Sequence, residues 1–110
     1  MTLNVVTDLT PRIVINYYRD LEKKKKYPRD LKVLCFVTAK NYLVQPGDIG
    51  MMVESLRSAA AKYNMITEAF VAEDPYITVL TTLFSEKAKI RNYRSAVFST
   101  REAALKWLEV

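Results

Sequence analysis

Two adjacent carboxylates, Glu73 and Asp74, lie at a predicted strand end, and a pair of this kind can do acid and base work if one of them is desolvated to hold a proton while the other stays charged. The competing role is structural. Asp74 precedes Pro75, the arrangement of a helix N-cap with proline in the first turn, which leaves Glu73 in water. Ser99 has the hydroxyl of a nucleophile, but the 110 residues contain no histidine to take its proton. The same absence removes Ser-His-Asp and Cys-His pairs and histidine-ligated zinc. Cys35, the single cysteine, lies in the apolar run Val33-Leu34-Cys35-Phe36-Val37 and reads as a buried core thiol with no disulfide partner. Gly47 and Gly50 are the only glycines and form neither GxGxxG nor GxxxxGK[ST], so no dinucleotide or triphosphate site is indicated. The sequence predicts no catalytic residue, no cofactor and no metal, and the expectation is a protein that is not an enzyme.

Charge offers a second kind of chemistry. The net charge is +5, and all of it falls in residues 11 to 32, which hold eight Lys or Arg against three Asp or Glu, while the rest holds nine of each. The run Lys23, Lys24, Lys25 and Lys26 is read first as a solvated face that offsets a helix dipole. With Tyr17, Tyr18 and Tyr27 nearby it is also a candidate patch for an anionic partner, whether acidic protein, nucleic acid or lipid surface. No base-reading motif accompanies it, so specific nucleic-acid binding is not expected.

These residues need elements to position them. Leu3 to Val6 is a candidate short strand, and Thr10-Pro11 marks the start of a helix running to about Lys25, with Val14, Tyr17, Tyr18 and Leu21 on its apolar face. Tyr27-Pro28 is a turn. Leu31 to Thr38 reads as a strand apolar on both faces, the kind found in the middle of a sheet. Ile49, Met52, Val53, Leu56, Ala59, Ala60 and Tyr63 recur at three and four, predicting a second helix that stops near Asn64. Ile66 to Ala72 is another buried strand. Asp74-Pro75 then opens a helix with Tyr76, Val79, Leu80, Leu83 and Phe84 on one face and Thr78, Thr81 and Thr82 on the wetter side. Tyr93 to Phe98 is a further strand, and Ser99 to Glu102 has capping-box spacing ahead of a short last helix.

Strand and helix alternate throughout, the pattern of a mostly parallel or mixed sheet flanked by about four helices in a single α/β domain over residues 1 to 110. Ligands of such sheets bind beyond the carboxyl ends of the strands, here 39 to 48, Glu73 to Tyr76 and Ser99 to Glu102. The apolar runs are far short of the roughly 20 residues needed to cross a bilayer. The first ten residues lack Lys and Arg and include Asp8, unlike a secretory signal, so the cytoplasm is the expected location.

The helix ending in Tyr27-Pro28, the strand Leu31-Lys32-Val33-Leu34, the Ala69-Phe70-Val71 strand followed by Pro75, and the carboxyl-terminal stretch Val97 to Leu108 together resemble small bacterial proteins, common in Bacteroidetes, related to anti-sigma-factor antagonist (STAS) domains. The resemblance implies a mixed sheet edged by an amino-terminal hairpin, most of which this chain lacks. In phospho-regulated members a serine opens the helix after the central strand. The matching stretch here, Gln45-Pro46-Gly47-Asp48-Ile49, holds no Ser or Thr, so no phosphoserine switch is expected. The resulting expectation is a non-enzymatic protein-binding or regulatory module, with Tyr42, Gln45, Asp48, Met51 and Met52 as its partner surface. The alternative is a carrier of a small apolar or lipid-like ligand. A homodimer is expected because Leu3 to Val6 is an apolar strand with no charge to guard its edge.

Overall fold

The computed structural model describes residues 2–5, 8–38 and 41–109. Four strands, β1 (Thr2–Val5), β2 (Asp30–Val37), β3 (Met65–Val71) and β4 (Tyr93–Phe98), alternate with four helices, α1 (Pro11–Lys23), α2 (Ile49–Ala60), α3 (Pro75–Lys87) and α4 (Arg101–Glu109). The strands form one sheet in the order β1-β2-β3-β4, every neighbouring pair parallel. The α/β class is therefore the one expected. The first helix ends two residues early, with Lys24 as its C-cap, and the second ends at Ala60 rather than near Asn64.

Local chemistry sets the helix starts. Thr10 accepts from the Ile13 amide ahead of Pro11, and the Asp74 carboxylate accepts from the Tyr76 and Ile77 amides ahead of Pro75. Asp74 is thus a cap, as its sequence context indicated, and Glu73 beside it is exposed. The last helix corrects the sequence reading by one residue: Thr100, not Ser99, accepts from the Ala103 amide at 3.2 Å.

Alternation along the strands divides the interior in two. Leu31, Val33, Cys35 and Val37 of β2 and Ile66 and Phe70 of β3 meet the buried faces of α1, α2 and α3 in the larger core. Leu34, Ala69 and Val71 point the other way, against Ala104 and Leu108 of α4. Consecutive strand order puts three crossover helices on one face and leaves α4 alone on the other.

One helix face differs from expectation in part: Leu80 and Phe84 are buried as expected, Tyr76 and Val79 are not. The buried residues of α3 are Ile77, Leu80 and Phe84, whereas Tyr76 and Val79 are 48% and 64% exposed. The helix carries two apolar stripes of equal spacing, so periodicity alone could not select between them. Rotation onto the Ile77 stripe turns Thr81 inward as well, to a half-buried position.

Loops beyond β1 and β2 continue the sheet for one step. Leu9 donates its amide to the Asn41 carbonyl and accepts from the Leu43 amide, each at 2.8 Å, and the Asn41 side chain donates to Asp8. A single 3₁₀ turn at Pro46–Asp48 comes next, closed by Asp48 Oδ2 accepting from the Gln45 amide. These links fix Leu9 and Val44 over the larger core.

Candidate functional site

Glu68 is the feature of the core that apolar packing does not explain. It sits at the centre of β3, beside Val33 of β2 and Ser95 of β4 in register, and its inward direction follows from alternation with Ile66 and Phe70. It is 1% exposed, the single buried charged residue among the described positions.

Three tyrosines satisfy it. Tyr18 of α1 donates to Oε1 at 2.8 Å, Tyr93 of β4 donates to the same oxygen at 2.7 Å, and Tyr17 of α1 donates to Oε2 at 3.3 Å. Consecutive residues on α1 can both reach the carboxyl because their rings tilt against each other, centroids 4.9 Å apart. Tyr18 also stacks on Phe84, which meets Phe70 edge-on, so the phenols are held by an aromatic wall.

Electrostatics follow from the burial. Loss of water holds the Glu68 carboxyl above the usual carboxylate range, opposed by the three phenol hydrogen bonds. Burial and then the Glu68 charge push Tyr17, Tyr18 and Cys35 upward, and Tyr93 likewise. The thiol of Cys35 is therefore unreactive, consistent with a core role.

Beside the carboxyl lies a cavity of about 170 Å³. Its floor is Cys35, Val37, Glu68 and Phe70 of the sheet, and its walls are Val14, Tyr17 and Tyr18 of α1 and Leu80, Thr81 and Phe84 of α3. Ile49 and Met52 of α2, with Leu9 and Val44 from the loops, close one end. Ile13, which is exposed, and Leu3, Val14, Tyr17 and Thr81, which are half-buried, are the lining residues nearest solvent. Glu68 lines the cavity, and while Oε1 accepts two short bonds, Oε2 accepts only the longer one from Tyr17, so Oε2 is the carboxyl oxygen with an acceptor position to spare. Chemically the arrangement offers an apolar envelope and one open hydrogen-bond acceptor.

The residues singled out from sequence distribute differently. Met52 is buried at 6% exposure and lines the cavity, while Met51, one residue earlier, is 59% exposed. A helical step of one residue turns the side chain by more than a quarter of the circle, so Met52 faces the core while Met51 faces out. Gln45 is exposed and Asp48 half-buried, and both are engaged in closing the 3₁₀ turn. Tyr42 is half-buried with its ring 6.0 Å from that of Tyr76. Lys23, Lys24, Lys25 and Lys26 are all exposed. Tyr17 and Tyr18 turn away from them towards Glu68. The segment after the lysines is pinned by Arg29, whose guanidinium donates to the Lys24 and Lys62 carbonyls at 2.8 Å and lies over the Tyr63 ring. Of the three strand-end turns, only the first contributes to the cavity, through Val44 and Ile49 beside it.

Sequence reasoning passed over Glu68 altogether. The signal was a lone carboxylate amid Ile66, Ala69, Phe70, Val71 and Ala72, in a strand otherwise read as buried. Comparisons with protein-family models, with curated proteins and with solved structures find no match to this chain.

Proposed function

We propose that this protein binds a small, largely apolar molecule in the cavity above Glu68, as a carrier or sensor of that molecule. The observation that carries this reading is a cavity of about 170 Å³ whose envelope is aliphatic and aromatic around a single carboxyl. Concave, apolar sites with a few fixed polar groups are the usual form of ligand pockets. An apolar cavity of about 150 Å³ is known to accept benzene, which sets the scale at a ring with a short substituent, about six to eight heavy atoms. That size excludes a wholly enclosed long acyl chain and narrows the lipid-like alternative to a compact molecule.

Toluene is a suitable first probe, and the two neighbouring methionines provide the readout. With methyl-labelled methionine, toluene should shift the Met52 resonance and leave Met51 in place, with a dissociation constant of about 0.1 to 1 mM, equal to roughly 4 to 5.5 kcal/mol. A Met52 signal unmoved at saturating toluene would remove the reading.

A second reading, a protein-facing surface, is favoured by the exposed side chains Leu43, Met51, Tyr76 and Val79. The Tyr42–Tyr76 contact joins the loop bearing Leu43 to the start of α3. In the sheet, β1 and β4 each pair on one side only, so an edge is open to a second copy. Sedimentation at micromolar concentration tests self-association. A dimer that returns to a 12.7 kDa monomer on Val79→Lys or Met51→Lys assigns that surface, and a monomeric parent protein removes the dimer.

A further inference from the structure

From the hydrogen-bonding inventory around Glu68 we infer that the molecule bound in this cavity carries a hydrogen-bond-donating, cationic head, a small apolar amine, seated on Glu68 Oε2. The inference rests on the cavity being a binding site and specifies what kind of molecule it takes.

Each phenol near the carboxyl has its one O–H directed at Glu68. The Thr81 hydroxyl in the wall donates to the Ile77 carbonyl, so with Glu68 ionised no phenol or hydroxyl donor is left over to meet a ligand carbonyl or carboxylate. What remains open is a lone pair on Oε2, and only a donor can use it. Among the described residues that line the cavity there is no lysine or arginine. The carboxyl thus lacks a protein cation, and a buried carboxylate is most stable when paired with one. An ammonium supplies both the proton and the charge. The rings of Tyr17, Tyr18 and Phe84 in the wall suit it further, because aromatic faces attract cations. An acid of the same size would meet a like charge and no donor.

The groups that face Glu68 are Tyr17 and Tyr18 from α1, Tyr93 and Ser95 from β4 and Cys35 from β2, while α2 and α3 present Met52, Thr81 and Phe84. The phenols and the thiol are pushed up by burial and stay neutral around neutral pH. Glu68 is then the protein group whose ionisation the amine senses. An amine needs the carboxylate, so its affinity rises with pH until Glu68 is fully ionised.

The experiment titrates four probes of one shape, benzylamine, benzyl alcohol, toluene and benzoate, following Met52. Benzylamine is expected to bind about tenfold or more tighter than benzyl alcohol, with toluene weaker and benzoate undetected. Its affinity should rise by up to about tenfold per pH unit while Glu68 is protonated, and toluene's should stay flat. Glu68→Gln should bring benzylamine down to the level of benzyl alcohol and spare toluene. If Glu68→Gln does not fold, the pH series on the unaltered protein decides. Toluene or benzoate binding as tightly as benzylamine, or a pH-independent benzylamine affinity, would overturn the amine while leaving the pocket standing. No binding of any probe would overturn both.

Discussion

The hydroxyl of Tyr18 donates to Glu68 Oε1 at 2.8 Å across fifty positions of sequence, and both groups are buried. Helix α1 and strand β3 are thereby joined by a polar contact inside an apolar core, where the bond is strong only while both partners are present.

Burial of that carboxyl, opposed by the phenol bonds, makes stability depend on pH in a defined direction. Burial raises the folded-state value of Glu68, so the folded chain holds its proton more tightly than the unfolded chain. The contribution is fully present below the unfolded value, near about 4.3, and is lost as pH rises through the folded value. Urea unfolding of the parent protein and of Glu68→Gln, compared from about pH 4 to pH 8, should show the parent losing ground to the variant as pH rises. A difference that grows in the parent's favour would contradict the assignment.

The three phenols should not be equal. Tyr18→Phe and Tyr93→Phe each remove a short, buried bond and should cost roughly 1 to 3 kcal/mol, while Tyr17→Phe, at 3.3 Å and half-buried, should cost under about 1 kcal/mol. Chemical denaturation of the three variants gives the order, and a larger loss at Tyr17 would reverse the roles of the two carboxyl oxygens.

At the start of α4 the cap is Thr100. Thr100→Ala is expected to destabilise by about 1 kcal/mol and Ser99→Ala by no more than about 0.5 kcal/mol. Thermal unfolding of the pair distinguishes them.

Replacing Lys23, Lys24, Lys25 and Lys26 with glutamine should change stability little, within roughly 0.5 kcal/mol per site, because all four are exposed. Binding to labelled DNA at about 150 mM salt should stay in the range of non-specific contacts, roughly 10⁻⁴ to 10⁻⁶ M. Sub-micromolar affinity that disappears in the glutamine variant would show the run to be a nucleic-acid site.

Local features of the fold were legible in the sequence. Thr10-Pro11 and Asp74-Pro75 act within one turn, so their chemistry is written in adjacent residues, and the strand Leu31 to Thr38 is displaced by one residue from β2. The face of α3 was legible in part: Leu80 and Phe84 are buried and Leu83 packs beside them as their spacing indicated, while Ile77 is buried where Tyr76 and Val79 were expected, a choice that only the sheet beneath makes. The candidate site was illegible for a different reason. Glu68 gains meaning from Tyr17, Tyr18 and Tyr93, which lie 51, 50 and 25 positions away, and no window of sequence contains them together.

Those separations also order events on the ribosome. Synthesis delivers Tyr17 and Tyr18 first, Glu68 later and Tyr93 last, and domains generally fold as units while the chain emerges. Until β4 has left the exit tunnel, Glu68 Oε1 lacks one of its two short donors, and β3 is still an edge strand with half its backbone groups open. A nascent chain halted before Tyr93 therefore carries an underpaired carboxyl in its prospective interior. The last strand to appear is the one that makes burying that carboxyl tolerable, so the polar centre of the core is complete only once β4 has paired with β3.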